Sequence, residues 1–143
     1  HTWHHVPLKG MTREEICAQL NKTRQTLQAL VGPEDFMLRP PYGFVDETLE
    51  HWAQAPIICW SVDTEDWKSK NVDAIVQVVT QQAGDGDIIL MHDIFETSVT
   101  AALTCVDRLL EEGYYLVTVE DLFALRGESP QAGQVYSSLP EEP

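Results

Sequence analysis

The chain has 143 residues, enough for one domain with a substantial core and too few for two comfortable ones. Its 9 basic and 23 acidic residues give a formal net charge of -14, which repels phosphate backbones and anionic membranes, and no basic cluster offers a nucleic-acid interface. No apolar run reaches the length of a membrane span, and the widely spaced Cys17, Cys59 and Cys105 form neither a C-x-x-C pair nor a disulfide framework, so they read as small core residues.

The chain opens on "HTWHH". His1 and His5 are four apart and point the same way if the segment is helical or tightly turned. Two neutral imidazoles suit a zinc ion, but the same spacing also suits exposed histidines on a turn. A zincin needs glutamate where Thr2 stands, so a metalloprotease is excluded. "TREEICAQLNKTRQTLQALVG" predicts a helix, with Thr12 and Glu15 at capping-box spacing and Gly32 as its stop. Ile16, Leu20, Leu27, Leu30 and Val31 lie near one face of it. "FMLRPP" reads as a short strand ending on paired prolines, "DETLEHWAQA" as a short helix and "PIICWSVD" as a buried strand. "NVDAIVQVVTQQA" is helical by period, and "GDGD" turns into the strand "IILMHD". A helix over "SVTAALTCVDRLLEEG" closes at Gly113, and "YYLVTVEDL" reads as the last strand, running into a helical turn. Residues 127–143 have the Gly, Ser, Pro and Glu content of a flexible tail, which leaves residues 1–126 as the domain.

Alternating helices and short, fully apolar strands predict an α/β fold with a parallel sheet. In such folds the strand ends converge on substrate. Arg39 ends the first strand, Asp63 and Asp66 follow the second, and His92 ends the third. "RPPYG" is stiffened by Pro40 and Pro41, so it can aim the Tyr42 amide at a developing oxyanion. "DTEDW" sets two carboxylates three apart, followed by the indole of Trp67; it also resembles a helix N-terminal cap. In "LMHD" a rim carboxylate can hold His92 protonated as a general acid.

Taken in order, H-T-x-x-H, R-P-P-Y-G, D-x-x-D-W and I-L-x-H-D resemble the polysaccharide deacetylase family, carbohydrate esterase family 4, with its NodB homology domain. The resemblance covers His1 through about Leu125 and implies a distorted (β/α) barrel with metal-dependent N-deacetylase activity. It implies His1 and His5 as ligands of a divalent metal, zinc first, with cobalt, nickel or manganese as alternatives. Thr2 would brace their loop, Arg39 would orient the catalytic base, and the Tyr42 N–H would hold the oxyanion. Asp66, or less favourably Asp63, would tune His92, the acid that protonates the leaving amine. Pro41, Tyr42, Trp67 and Leu90 would line the acetyl and sugar pocket, and His4 falls on a variable position.

The family also carries an Asp-Asp motif that supplies the base and a third metal ligand, and no segment here matches it. The expectation is therefore an incomplete barrel lacking its N-terminal strands, inactive alone, whose partner is the preceding part of its own domain. The expected substrate is an N-acetylated cell-wall polysaccharide, peptidoglycan N-acetylglucosamine foremost, hydrolysed outside the cell or at its envelope with release of acetate. An O-acetyl esterase acting on acetylxylan, and an inactive carbohydrate-binding homologue, are the alternatives.

Overall fold

Local signals set the helices of the computed structural model, which describes residues 1–141. Helix α1, Arg13–Val31, starts at Thr12. The Thr12 hydroxyl accepts the Glu15 N–H at 3.4 Å and the Glu15 carboxylate accepts the Thr12 N–H at 2.9 Å, the reciprocal box that the spacing predicts. Helix α2, Glu47–Trp52, is capped by the Asp46 carboxylate on the Leu49 N–H at 2.9 Å. Helix α3, Asp66–Ser69, is a single turn. Helix α4, Val72–Gln82, is capped by Asn71, and helix α6, Val119–Arg126, by Thr118. Between them helix α5 spans Glu96–Glu111.

The strands are β1, Ile57–Ile58; β2, Val62–Asp63; β3, Ile89–Leu90; and β4, Val135–Tyr136. They pair in parallel as two two-stranded sheets, β1 with β4 in the register Ile57–Val135 and β2 with β3 in the register Val62–Ile89. The α/β class and the parallel pairing follow the sequence expectation. Among the described residues no closed barrel forms.

The chain divides into two compact units. The first comprises 1–59 and 129–136, and its core is Leu8, Ile16, Leu20, Leu38, Leu49, Ala53, Ala55 and Ile57. The second comprises 60–128 with the segment from Ser137 onward; there Ile75, Val76 and Val79 of α4 pack on Ala101, Cys105 and Leu109 of α5. Burial of these apolar side chains drives both cores.

The structure corrects four expectations. "PIICWSVD" is not one strand: β1 lies in the first unit and β2 in the second, each paired to a different neighbour. "FMLRPP" contributes a single bridged residue, Leu38 against Ile57. Residues 114–118 form no strand; among the described residues no ladder runs beside them, and Tyr115 is 89% exposed. The stretch after Arg126 is not a free tail. The Gln134 carbonyl accepts the Ile57 N–H at 2.9 Å, Val135 and Tyr136 form β4, and Leu139 is buried with its N–H on the Gly86 carbonyl at 2.8 Å. Its glycine and proline content supplies turns, with Gly133 at φ 79, instead of disorder. Residues 142–143 of that stretch lie outside the described residues.

Candidate active site

In the first unit a tight turn forms the imidazole pair. The His5 N–H donates to the Thr2 carbonyl at 3.2 Å. The buried Thr2 hydroxyl accepts the Val6 N–H at 2.9 Å and donates to the Val6 carbonyl at 3.2 Å. Thr2 therefore ties both ends of the turn with one side chain. His5 sits at φ 53, left-handed backbone that a residue with a Cβ rarely adopts. The His1 and His5 rings lie 5.0 Å apart, edge to face.

The protonation of His1 follows from its partner. Its Nδ1 is 2.7 Å from the Arg39 carbonyl, and a carbonyl only accepts, so Nδ1 carries the proton and Nε2 keeps a free lone pair. A backbone carbonyl behind one imidazole nitrogen is the usual way of aiming the other at a metal. His4 faces elsewhere, its N–H and Nδ1 both held by the Gln19 side chain at 3.0 and 2.9 Å. In donor type, tautomer and proximity His1 and His5 fit a divalent ion. They make only part of a ligand set, because catalytic zinc takes about three protein ligands and the described residues hold no cluster of three or more His, Cys, Asp or Glu side chains able to bind a metal.

The "RPPYG" loop supplies the rest of this half. Pro40 and Pro41 are fully buried, and a turn over Pro41–Gly43 closes with the Gly43 N–H on the Pro40 carbonyl at 3.1 Å. Tyr42 is at φ 62 and ψ 8, a left-handed conformation stored at the tip of a loop that cannot relax. Its ring meets His5 edge-on with centroids 5.2 Å apart. Arg39 is half-buried; burial pushes its pKa down from the usual value, with a small opposing effect of Cys59. Its Nε is buried without a hydrogen-bond partner, and among the described residues no carboxylate pairs with the guanidinium. Burial also raises the pKa of the neighbouring Cys59 thiol, so Cys59 is a poor candidate for a nucleophile.

In the second unit Asp66 and His92 form a hydrogen-bonded pair. Asp66, the first residue of α3, is 0% exposed. One of its oxygens accepts the His92 backbone N–H at 2.6 Å and the other contacts His92 Nδ1 at 2.8 Å. Burial raises the Asp66 pKa, but the Ser98 hydroxyl and then the His92 contacts outweigh it, so the carboxyl lies below its ordinary value. An ionised carboxylate only accepts, so Nδ1 of His92 carries a proton toward Asp66, and the side chain is 38% exposed. The Thr64 hydroxyl donates to the Leu90 carbonyl at 2.8 Å and fixes the loop from β2 to α3 against β3. Asp63 lies elsewhere, accepting the Glu65 N–H at 2.9 Å as a turn cap. Trp67 is half-exposed on α3, while Leu90 is buried.

The structure thus gathers His1, Thr2, His5, Arg39, Pro41 and Tyr42 in one unit, and Asp66, Trp67, Leu90 and His92 in the other. Sequence reasoning missed Ser98, a buried hydroxyl on the inward stripe of α5. A lone polar residue on an otherwise apolar stripe was the available signal. It also missed Phe44, a half-exposed aromatic directly after the "RPPYG" motif.

With that geometry in hand, the chain can be set beside known proteins. The family described as polysaccharide deacetylase matches residues 1–56. The peptidoglycan-N-acetylmuramic acid deacetylase PdaC of Bacillus subtilis is 39% identical over 122 residues, covering 85% of this chain and 26% of that protein. The peptidoglycan-N-acetylglucosamine deacetylase PgdA of Listeria monocytogenes is 38% identical over 136 residues, covering 95% of this chain and 28% of that protein. Among solved structures, T48 deacetylase with substrate has a TM-score of 0.89 at 36% identity, over 96% of this chain and 68% of that chain. The chain spans about a quarter of the length of the two curated relatives.

Proposed function

This chain belongs to the polysaccharide deacetylase family, and on that premise we propose that it forms part of a metal-dependent hydrolase removing N-acetyl groups from peptidoglycan, foremost its N-acetylglucosamine, at the cell envelope. The observation that carries this reading is Arg39. A half-buried guanidinium with an unpartnered Nε, its own carbonyl holding His1, is costly unless a carboxylate from outside these residues completes it. The Asp-Asp motif that supplies such a base in the family also supplies a metal-binding carboxylate, the donor that His1 and His5 lack among the described residues. The names of PdaC and PgdA support peptidoglycan as the substrate class.

The residues divide the work by chemical type. His1 and His5 would hold a divalent ion, zinc by preference with cobalt, nickel or manganese as alternatives, and Thr2 keeps their turn in shape. When bound, such an ion supplies Lewis-acid polarisation of the amide carbonyl and a more acidic water. Arg39 orients the carboxylate base contributed by the preceding part of the domain. The Tyr42 N–H donates to the oxyanion that develops as the amide is attacked, and the strained loop holds it in place without reorganisation. As the acid His92 carries a proton on Nε2 as well as on the Nδ1 held by Asp66; the Nε2 proton goes to the departing nitrogen, so that an amine leaves and a neutral imidazole remains on Asp66. Pro41, Trp67 and Leu90 border the acetyl and sugar groups.

Metal analysis and acetate release by the enzyme containing this chain test the reading. Acetate is expected from peptidoglycan, is lost on chelation, and falls by about 10²-fold or more with His5→Ala. Release from acetylxylan but not from peptidoglycan would move the activity to an O-acetyl esterase, and no release from either would leave a binding homologue. This chain alone is expected to be inactive; turnover of an acetylated chito-oligosaccharide by it would overturn the placement of the base outside these residues.

A further inference from the structure

The "RPPYG" loop presents more than an amide. Tyr42 is 61% exposed and Phe44 49% exposed, an unusual cost for two large aromatic rings within three residues. Their centroids are 6.1 Å apart with planes inclined by 37°, so they neither stack on each other nor bury each other. His5 meets Tyr42 edge-on, with centroids 5.2 Å apart and planes inclined by 70°, and with more than half of Tyr42 and about half of Phe44 in solvent both rings keep area for a ligand. The strip is rigid. Pro40 and Pro41 are fully buried, the Phe44 N–H returns to the Pro41 carbonyl at 3.5 Å, and Gly43 sits between the two aromatics at φ 66. Rings already fixed in place lose little rotamer freedom on contact, which is the condition under which aromatic surface is most effective in binding.

We propose that Phe44, with the ring of Tyr42, is a specificity-determining platform for the pyranose next to the one that is deacetylated. A pyranose with equatorial substituents has two flat faces of C–H bonds, each about as large as one aromatic ring, and those slightly positive hydrogens match the negative face of a π-system. The neutral rings ask nothing of the sugar's charge or acyl group, so the platform selects for a continuing sugar chain and not for a particular acyl substituent. The inference rests on the deacetylase reading, which puts the reacting acetyl group at the Tyr42 amide and therefore an adjacent sugar within reach of Phe44.

The test compares N-acetylchitotetraose with the methyl glycoside of N-acetylglucosamine in the metal-loaded enzyme containing this chain. Phe44→Ala is expected to raise KM for the tetramer about tenfold, equivalent to ~1.4 kcal/mol of lost binding, and to reduce the preference for tetramer over monosaccharide by the same factor. Phe44→Tyr restores the preference and Phe44→Leu does not, which separates a ring face from mere apolar bulk. In aromatic carbon–proton spectra the tetramer shifts the Phe44 and Tyr42 ring signals, and the monosaccharide leaves Phe44 in place. An equal change for both substrates, or an unshifted Phe44 ring under saturating tetramer in an enzyme that still releases acetate from it, overturns the platform and leaves the deacetylase reading intact. No acetate from either sugar with the unaltered enzyme overturns both.

Discussion

Asp66 has both carboxylate oxygens engaged by a single residue, His92, and is fully buried. In the other unit Arg39 holds a buried Nε that meets no acceptor among the described residues, and His1 commits Nδ1 to the Arg39 carbonyl while its Nε2 keeps a lone pair. One half is closed on itself and the other is open, for a physical reason. On the proposed reading Asp66 and His92 form a proton-transfer pair, which needs a fixed partner before substrate arrives, and that partner comes from within the same few elements. A site for a metal and a base must leave donors unspent, since any internal partner would compete with the ligand they await. On the proposed reading, the unpartnered Nε of Arg39 belongs to the metal half, and the paired Asp66 and His92 to the acid half.

If the acid half is closed for function, breaking it from within should give the largest loss. Asp66→Asn puts an amide where an acceptor-only group now fixes Nδ1 of His92, and kcat of the metal-loaded enzyme is expected to fall by about 10²–10⁴-fold with KM for substrate little changed. The pH dependence of stability supplies an independent check. The Asp66 pKa is lowered on folding, so ionised Asp66 stabilises the fold above its unfolded value of about 3.9, and that contribution disappears as pH falls through the lower folded value. Asp66→Asn should unfold more readily than the parent at neutral pH, and the difference should shrink toward acid pH. Denaturant titrations across that range decide the matter; a gap that stays constant with pH would show that Asp66 is not held ionised by His92.

The next effect concerns how each half is scaffolded. A Cβ on Gly133 would lie 2.3 Å from the Glu50 carbonyl, and one on Gly86 would lie 2.0 Å from the Leu139 carbonyl, both at positive φ. Gly133→Ala and Gly86→Ala should each destabilise the protein by about 2–3 kcal/mol, since backbone must move in either case. Gly127, left-handed at φ 68 and ψ 19 with nothing within 4 Å of its added Cβ, is the control: Gly127→Ala carries the conformational strain alone, ~1 kcal/mol. Thermal or denaturant midpoints read the difference. If Gly133→Ala costs no more than Gly127→Ala, Gly133 is not packed against the Glu50 carbonyl as described.

That segment shows where the sequence stops being informative. Helices carry their own instructions, and so the capping box of Thr12 and Glu15 and the alternating burial of Ile75, Val76 and Val79 were legible. Strand pairing depends on a neighbour far along the chain. Nothing within "PIICWSVD" announces that Ile57 pairs with Val135 while Val62 pairs with Ile89. Conversely, "YYLVT" has strand-forming side chains and no strand to join among the described residues. The candidate site was more legible than the fold because its residues sit in short motifs with local geometry. His1 with His5, and Asp66 with His92, follow from the family resemblance that those motifs carry, while residue type alone leaves exposed histidines and a helix cap as alternatives. Ser98 was not, since one hydroxyl on the buried face of α5 resembles any helical serine until Asp66 is seen beside it.

The smallest effect should come from the brace of the open half. Thr2 is buried, and its hydroxyl makes two bonds to Val6, accepting from the N–H and donating to the carbonyl. Thr2→Val keeps the shape and burial of the side chain and removes both bonds, leaving two half-buried backbone groups of Val6 without a partner. His5, held at φ 53 between Thr2 and Val6, then loses the constraint that keeps its imidazole beside that of His1. Metal affinity of the enzyme containing this chain, measured by competition with a chelating dye, is expected to weaken about tenfold, the low end of what outer-shell substitutions cost. Thr2→Ser, which retains the hydroxyl, should recover most of it. The Asp66–His92 pair serves as the internal reference, because a change confined to the open half leaves the acid-side stability profile of Asp66 untouched. Unaltered metal affinity in Thr2→Val would mean that the left-handed turn is held by its surroundings and not by Thr2. The contrast between an internally secured acid half and a metal half resting on one hydroxyl would then have to be redrawn.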